Sequence, residues 1–279
     1  MRFGFHISIS GGFSKVLERA KVRGCEAIQL FSRNPRGWKY SPLDEEEVKI
    51  FRRDFEKGNI RPIFVHMPYL PNLANPSKIL LKPSVDSLCE DLKRSAILGA
   101  EYLIMHVGSS LGGEVKMAIK GVADGINKAL AIVKNSVVLL LENTAGSGSE
   151  IGYSFEQISE IIRQINHHDR IGVALDVAHA FEAGYDFRTK ETIDNTVSEF
   201  DKLIGLKRLH LLHLNDSKSD FNSKVDRHWH IGEGKIGLDG FKLIINHPAF
   251  KNLPGIMETP RTNTKEDLQN MKLIRSLVK

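Results

Sequence analysis

The sequence predicts an α/β fold in which parallel strands alternate with helices, and two patterns support this. The first is a set of eight short apolar runs, rich in Val, Ile, Leu and Phe, at residues 3–8, 27–31, 62–66, 102–106, 137–142, 171–176, 209–214 and 255–258. Most of these runs are continuously apolar, which is typical of parallel strands buried on both faces. The second pattern is the helical period of the segments between them.

Four of the intervening segments show this period clearly. Apolar residues spaced three and four apart predict helices over residues 13–20, 85–96, 115–133 and 155–165. Gly24 closes the first of these helices and Gly99 closes the second, as glycine commonly does after a helix. The acidic run at residues 44–47 predicts the start of a further helix, where negative charge suits the helix dipole.

Eight strand–helix units in this length favour a single closed (β/α)₈ barrel, the TIM barrel, which typically has about 250 residues. The alternative is an open doubly wound sheet of similar length. The sequence has no Pro- or Ser-rich linker and no low-complexity run, so residues 1–279 are predicted to form one domain. In a barrel the C-terminal ends of the strands meet at one face, where active sites are built.

Charge, cysteine content and hydropathy exclude several classes of protein. Lys and Arg number 39 and Asp and Glu number 34, so the net charge is +5, which permits a polyanionic partner without requiring one. The two cysteines, Cys25 and Cys89, form no CxxC pair, which excludes a disulfide framework and a cysteine-based zinc site. The N-terminus lacks the apolar stretch of a signal peptide, and the longest apolar run, at residues 137–141, is far too short for a membrane helix. A cytoplasmic protein is therefore predicted.

Residues able to bind a metal follow six successive strands, the third to the eighth. These residues are His66, His106, Glu142, Asp176 with His179, His213 and Glu258, and the segment DRHWH adds Asp226 and His228. A single residue of this kind at a strand end is usually structural, or a helix cap if it is a carboxylate. Six in succession would bring several charges to one barrel mouth, which is costly unless a cation compensates them.

The nine candidates are five imidazoles and four carboxylates, with no cysteine. This mixture of N and O ligands suits Zn²⁺, with Mn²⁺ or Fe²⁺ as possible substitutes. Nine ligands exceed the need of one tetrahedral ion and suit a cluster of two or three. Such clusters are typical of phosphoester hydrolysis, because they generate hydroxide and stabilise the leaving oxygen.

Blocks of sequence along the whole chain carry a resemblance to a known family. They include GFHISISGG, FSRNPRGW, HMPYLPNLANP, LLLENTAG, LDVAHAFEAGYD, HLNDSK, DRHWHIGEGKIG and METPR. In order, spacing and number these blocks resemble endonuclease IV, the zinc-dependent apurinic/apyrimidinic endonucleases (AP endonuclease family 2). The resemblance implies a (β/α)₈ barrel that holds three zinc ions.

The resemblance also implies how the nine residues divide among the ions. The sets are His66 and His106 with the bridging Glu142 for the first ion, the same Glu142 with Asp176, His213 and Glu258 for the second, and His179, Asp226 and His228 for the third. Glu142 and Glu258 are the implied catalytic residues, and Glu258 is the carboxylate expected to orient a bridging hydroxide nucleophile.

Three further residues match positions through which the family contacts DNA. Arg36 lies in the second loop, and Tyr69 and Leu70 lie in the third. The resemblance implies that they wedge into the duplex at the lesion. A missing base lowers the cost of extruding the nucleotide, and apolar wedges fill the gap. Without the resemblance, Tyr69 and Leu70 would be read as loop residues packed on the barrel rim.

The implied function is hydrolysis of the phosphodiester 5′ to an abasic site, which leaves a 3′-hydroxyl and a 5′-deoxyribose phosphate. The family also implies cleaning of blocked 3′ ends in base excision repair, and nothing in the sequence requires more than a monomer. One alternative is a metal-dependent sugar isomerase or epimerase on a similar barrel, which would need only Glu142, Asp176, His213 and Glu258. Another is a non-catalytic DNA-binding protein with a structural metal, which the intact ligand set argues against.

Two other patterns are set aside. Gly232, Gly234 and Gly237 spell GxGxxG, but the motif follows the polar stretch DRHWH rather than a strand, so a glycine-rich loop is predicted instead of a dinucleotide site. His210 and His213 lie three apart on one predicted strand and therefore point to opposite faces. His213 is the one predicted to face the barrel mouth.

Overall fold

Eight parallel strands close into a barrel in the computed structural model, which describes residues 1–260 and 263–279. The barrel strands are β1 (Arg2–His6), β2 (Ala27–Phe31), β3 (Ile63–His66), β4 (Tyr102–His106), β5 (Val138–Glu142), β6 (Ile171–Asp176), β7 (Leu209–His213) and β10 (Pro254–Met257). They follow one another in chain order around the barrel, and β10 pairs with β1 to close it. The predicted closed barrel is confirmed, and the open sheet is excluded.

Helices surround the strands on the outside of the barrel. They are α1 (Val16–Val22), α2 (Glu45–Gly58), α3 (Lys78–Leu98), α4 (Val115–Ile132), α5 (Phe155–Arg163), α6 (Val177–Ala183), α7 (Lys190–Leu203), α8 (Gly237–Asn246) and α9 (Thr264–Ser276). A separate antiparallel pair, β8 (Asp216–Ser217) and β9 (His228–Trp229), lies in the loop between β7 and α8.

The predicted strands agree with the observed ones to within about two residues at each end. The acidic run does begin a helix, because the Asp44 carboxylate caps α2 by accepting a hydrogen bond from the Glu47 N–H at 2.9 Å. Gly99 adopts a positive φ of 73° and ends α3. The last barrel strand ends at Met257, so Glu258 lies just beyond it.

Two apolar clusters sit on the two sides of the sheet. The larger one fills the space between the strands and the helices, and the smaller one fills the inside of the barrel. Cys25 and Cys89 are both buried as free thiols, as expected of a chain without a disulfide framework. Within the described residues, no helix combines the length and the apolar character needed to cross a membrane.

Candidate metal centre

A ring of apolar side chains inside the barrel forms the floor of the site. It consists of Ala27, Phe64, Ile104, Leu140, Ala174, Leu211 and Ile256. Side chains alternate along a strand, so the residue two positions farther along faces the same side. Those positions hold Gln29, His66, His106, Glu142, Asp176, His213 and Glu258. Alternation alone therefore brings seven polar side chains to the C-terminal mouth of the barrel.

Strand register places neighbouring members of this polar ring at one level. His106 on β4 is the register partner of Glu142 on β5, and Asp176 on β6 is the partner of His213 on β7. Neighbouring strands lie about 4.8 Å apart, so side chains of register partners that face the same side are close enough to share a cation. The predicted convergence of the strand-end residues is thus a direct result of the barrel register.

Glu142 lies at the centre of the first group. Its Oε2 is 2.9 Å from His66 Nε2 and 3.1 Å from His106 Nε2. The Glu142 side chain is fully buried, and the ligand atoms of the three residues lie within 4.8 Å of one another. This is the arrangement expected of two imidazoles and one carboxylate around an ion.

His213 lies at the centre of the second group. Its Nδ1 is 2.8 Å from Glu142 Oε1, 3.4 Å from Glu258 Oε2 and 3.7 Å from Asp176 Oδ2. Glu142 therefore belongs to two groups, with one oxygen directed to each. Three carboxylates around one imidazole nitrogen form an acidic cage that suits a divalent cation.

His179, His228 and two aspartates form the third group. The two Nε2 atoms of the imidazoles lie only 3.1 Å apart. Asp176 Oδ2 is 3.4 Å from His228 Nε2, and Asp226 Oδ2 is 3.4 Å from His179 Nε2. Asp226 is thus next to the two histidines with which the sequence associated it, and Asp176 lies between the second and third groups.

The loop after β7 carries Asp226 and His228 to the barrel mouth. The pairing of β8 with β9 fixes its base. The buried Glu182 carboxylate of α6 accepts hydrogen bonds from Ser217 Oγ at 2.6 Å and from the Arg227 N–H at 3.1 Å. Arg227, which lies between the loop ligands Asp226 and His228, is therefore held by a hydrogen bond to α6.

Three of the histidines use their second ring nitrogen to hold the ring in place. His66 Nδ1 donates to the Met67 carbonyl at 2.7 Å, and His179 Nδ1 donates to the Asn143 carbonyl at 3.0 Å. His213 Nε2 donates to Gln29 Oε1 at 2.7 Å. In each case the other ring nitrogen faces the cluster, which is how protein scaffolds orient histidine ligands of metals.

The electrostatics of the cluster also fit a cation. Burial alone would raise the pKa of Glu142, but His106 and His213 outweigh it and hold the pKa well below its usual range. Burial would lower the pKa of His213, but the carboxylates of Glu258 and Glu142 raise it to about 9. Each imidazole thus faces concentrated negative charge, and the residues present fit bound divalent metal ions.

Exposed side chains stand beside this cluster where DNA contacts were predicted. Tyr69 is 65 % exposed and Leu70 is 44 % exposed, so a large part of each side chain is open to solvent. The Tyr69 ring is 5.8 Å from the His66 ring and 5.8 Å from the His106 ring, centroid to centroid. Arg36 is exposed on the neighbouring loop after β2. All three are available to a ligand that covers the metal centre.

The loop that carries Arg36 is held at both ends by α3. Arg94 donates to the Ser32 carbonyl at 2.7 Å and to the Ser41 carbonyl at 2.9 Å. Asp91 accepts from Ser32 Oγ at 2.6 Å and lies 3.8 Å from Arg33 Nε. These buried charges fix the loop before any ligand arrives.

Burial raises the pKa of Asp91 from 3.8 to about 6. A carboxyl group whose pKa is raised by folding binds its proton more tightly in the folded state, so its contribution to stability falls as pH rises towards 6. We expect the unfolding free energy of the wild type, minus that of Asp91→Asn, to fall by about 2 kcal/mol between pH 4.5 and 7. Denaturant unfolding at several pH values measures this difference.

Asp86→Asn is the matched control, because Asp86 is an exposed carboxylate on the same helix. Its difference from the wild type should stay flat over this pH range. A flat or rising difference for Asp91→Asn would contradict the raised pKa.

Two members of the site were missed by sequence reasoning. His6 ends β1 and Gln29 lies within β2, and both are buried against Glu258. The sequence contains a feature that could have indicated each of them. His6 is one more histidine at a strand end, and Gln29 is the one polar residue in an otherwise apolar strand.

The patterns set aside in the sequence have structural roles. His210 packs on Tyr102, with ring centroids 5.3 Å apart, and Tyr102 packs against the apolar cluster inside the barrel. The prediction that His210 faces the opposite side of the sheet is therefore wrong, because a register shift where β6 meets β7 breaks the simple alternation. In the glycine-rich loop, the N–H groups of Gly234 and Gly237 donate to the Asp216 carboxylate. A Cβ at Gly234 would lie 2.4 Å from the Ser217 carbonyl, so glycine is needed for close packing there.

The fold and the clustered ligands define a TIM-barrel enzyme with a candidate polynuclear metal centre. In agreement, a family model described as "Xylose isomerase-like TIM barrel" matches residues 17–277. A protein named "Probable endonuclease 4" from Halothermothrix orenii is 43% identical over 276 residues, which cover 99% of each chain. The crystal structure of endonuclease IV from Thermus thermophilus has a TM-score of 0.89 and 37% identity, and covers 99% of this chain and 98% of that one.

The chain belongs to the endonuclease IV family and is a hydrolytic endonuclease of DNA. A D-tagatose 3-epimerase-like protein has a TM-score of 0.76 over 99% of this chain and 97% of its own, at 18% identity. That likeness shows a shared fold alone.

Proposed function

We propose that the protein hydrolyses the phosphodiester 5′ to an abasic site, using three metal ions, and leaves a 3′-hydroxyl and a 5′-deoxyribose phosphate. We further propose that it cleans blocked 3′ ends and serves base excision repair as a monomer. The observation that carries the proposal is the set of three ligand groups at one barrel mouth, beside exposed apolar side chains.

The three groups assign residues to three ions. His66, His106 and Glu142 would hold the first, and Glu142, Asp176, His213 and Glu258 the second. His179, His228, Asp226 and Asp176 surround the place of the third. The donor set suits zinc, with manganese or iron as substitutes. When bound, such ions lower the pKa of water and neutralise phosphate charge.

Glu258 is the carboxylate best placed to handle a proton. Its Oε1 is occupied by Gln29 Nε2 at 2.6 Å, which leaves Oε2 directed to the cluster, 3.4 Å from His213 Nδ1. Oε2 can therefore orient an attacking water and accept its proton. Glu142, buried among three imidazoles, supplies negative charge that would help to hold two of the cations.

The exposed residues beside the cluster supply the selectivity for damage. Tyr69 and Leu70 can fill the space of a missing base, and Arg36 can bind a backbone phosphate. An abasic nucleotide has no stacked base to remove, so its extrusion costs less than that of a normal nucleotide. The net charge of +5 favours approach to DNA.

The test is incision of an end-labelled duplex with one abasic site, beside an undamaged duplex of the same sequence. We expect cleavage of the abasic duplex only, with a 3′ end that a DNA polymerase extends without further processing. Absence of incision by the metal-loaded protein, or a 3′ end that cannot be extended, would refute the proposal.

A sugar isomerase or epimerase is the alternative on this fold. It would use the Glu142, Asp176, His213 and Glu258 group and leave no role for the other two groups. Turnover of ketohexoses without incision of abasic DNA would favour that alternative.

Replacing Tyr69 or Leu70 with alanine should weaken binding of the abasic duplex about tenfold and leave the metal content unchanged. Each substitution removes an apolar contact with the damaged duplex, at a loss of roughly 1–2 kcal/mol. Binding is measured with Glu258→Gln in the background to prevent cleavage, and metal is measured by elemental analysis of the single variants without that background substitution. Leu111→Ala is the control, since Leu111 is a similarly exposed loop residue. A fall in metal content would show that the loop supports the metal site instead.

A further inference from the structure

Gln29 joins two of the proposed metal ligands. It is fully buried on β2, inside a strand that is otherwise apolar. Its Nε2 lies 2.6 Å from Glu258 Oε1, and its Oε1 lies 2.7 Å from His213 Nε2. One side chain therefore touches both the candidate proton acceptor and the histidine at the centre of the second group.

The chemistry of Glu258 fixes which end of the Gln29 amide faces which partner. A carboxylate only accepts hydrogen bonds, so the NH₂ end must face Glu258. The amide oxygen is then directed to His213, where it requires an N–H donor. Nε2 of His213 must therefore carry the proton.

This hydrogen bond determines the tautomer of His213. In the neutral ring, a proton on Nε2 leaves Nδ1 with a free lone pair. Nδ1 is the atom that faces Glu142, Asp176 and Glu258. When a cation takes the place of the proton on Nδ1, the lone pair of that nitrogen would be directed to the cation inside the carboxylate cage.

The contact between Gln29 and Glu258 fixes the Glu258 carboxylate. Gln29 Nε2 holds Oε1 of Glu258, and His6 Nδ1 lies 3.2 Å from the same oxygen. The Glu258 N–H also donates to Asn215 Oδ1 at 2.7 Å, so the backbone beneath is anchored. The carboxylate is held in one rotation, with Oε2 on the side of the cluster.

We infer that Gln29 is a positioning residue that selects the metal-binding tautomer of His213 and fixes one oxygen of Glu258. The inference rests on the proposed role of these two residues as ligands. Leucine offers neither group, glutamate offers no donor at neutral pH, and asparagine is one methylene shorter, so none of these three does both tasks. Gln29 on β2 and His6 on β1 thus both contact Glu258 from this side of the barrel.

The test compares Gln29→Leu and Gln29→Glu with Gln164→Leu in the zinc-loaded full chain. Gln164 lies at the C-terminal end of α5, where its side chain donates a hydrogen bond to Glu160 and is remote from the metal centre. Three quantities are measured: zinc per chain, the rate of zinc release to a chromogenic chelator, and solvent exchange of the His213 Nε2 proton by ¹⁵N-histidine NMR. Circular dichroism checks that each variant is folded.

In Gln29→Leu we expect one ion per chain to be released about 10–100-fold faster than in the wild type, with faster exchange of the His213 Nε2 proton. Gln29→Glu should keep that proton protected, since it retains an acceptor, but should still release the ion faster because Glu258 loses its donor. Gln164→Leu should match the wild type in all three quantities.

Wild-type release and exchange in both Gln29 variants would overturn the inference while leaving the proposed function intact. If Gln29→Leu does not fold, wild-type release by Gln29→Glu alone is sufficient to overturn it. A wild-type protein that binds no zinc would contradict the proposed function itself, and the inference with it.

Discussion

Replacing Glu258 with glutamine is expected to lower kcat for incision of an abasic duplex about 1,000-fold while the protein stays folded. Glutamine has nearly the same shape, but it accepts no proton and is a weaker ligand of the second ion, so both proposed roles of Glu258 are lost. KM should change little, because Tyr69, Leu70 and Arg36 are untouched. Steady-state incision kinetics and circular dichroism measure the effect.

Glu101→Gln is the control for this substitution. Glu101 precedes β4 at the opposite end of the barrel, where its carboxylate accepts from the Ile63 N–H. It should retain wild-type kcat. Turnover within a few-fold of wild type by Glu258→Gln would refute the role assigned to Glu258.

Replacing Glu142 with glutamine should remove about two metal ions per chain and abolish incision. Glu142 belongs to two of the three ligand groups, and each of its oxygens faces a different group. Glutamine supplies one neutral oxygen and an NH₂ group that repels a cation, so both groups lose a ligand. Metal-affinity losses should be well above the 10–100-fold typical of residues behind the ligands.

Elemental analysis and the incision assay on the same preparation measure both effects of Glu142→Gln. Glu101→Gln again serves as the control, with full metal content. A variant that keeps its full metal content would show that Glu142 does not bridge two sites.

Much of the barrel could be read from the sequence because its rules are local. Continuous apolar runs such as residues 137–142 identify strands buried on both faces, and Gly99 marks the end of a helix. Once the strands are known to be parallel and closed, their ends must meet. The convergence of His66, His106 and Glu142 at one mouth follows from that closure and from side-chain alternation.

What the sequence did not reveal depends on contacts between distant segments. Gln29 is 229 positions from Glu258, and although it is the one polar residue of an apolar strand, that pattern does not show which residue it contacts. Asp91 and Arg94 likewise fix the Arg36 loop only because α3 packs beside the end of β2. Such supporting contacts are set by packing, which periodicity does not describe.

The central claim is that side chains scattered from His66 to Glu258 hold a cluster of cations that is required for cleavage of DNA. The most direct test is elemental analysis of fully active wild-type protein before and after prolonged chelation, with incision of the abasic duplex measured on the same samples. Fully active protein should contain three zinc, manganese or iron ions per chain, and incision should be lost in step with the metal. Undiminished incision by protein stripped of these metals would show that the cations are not required.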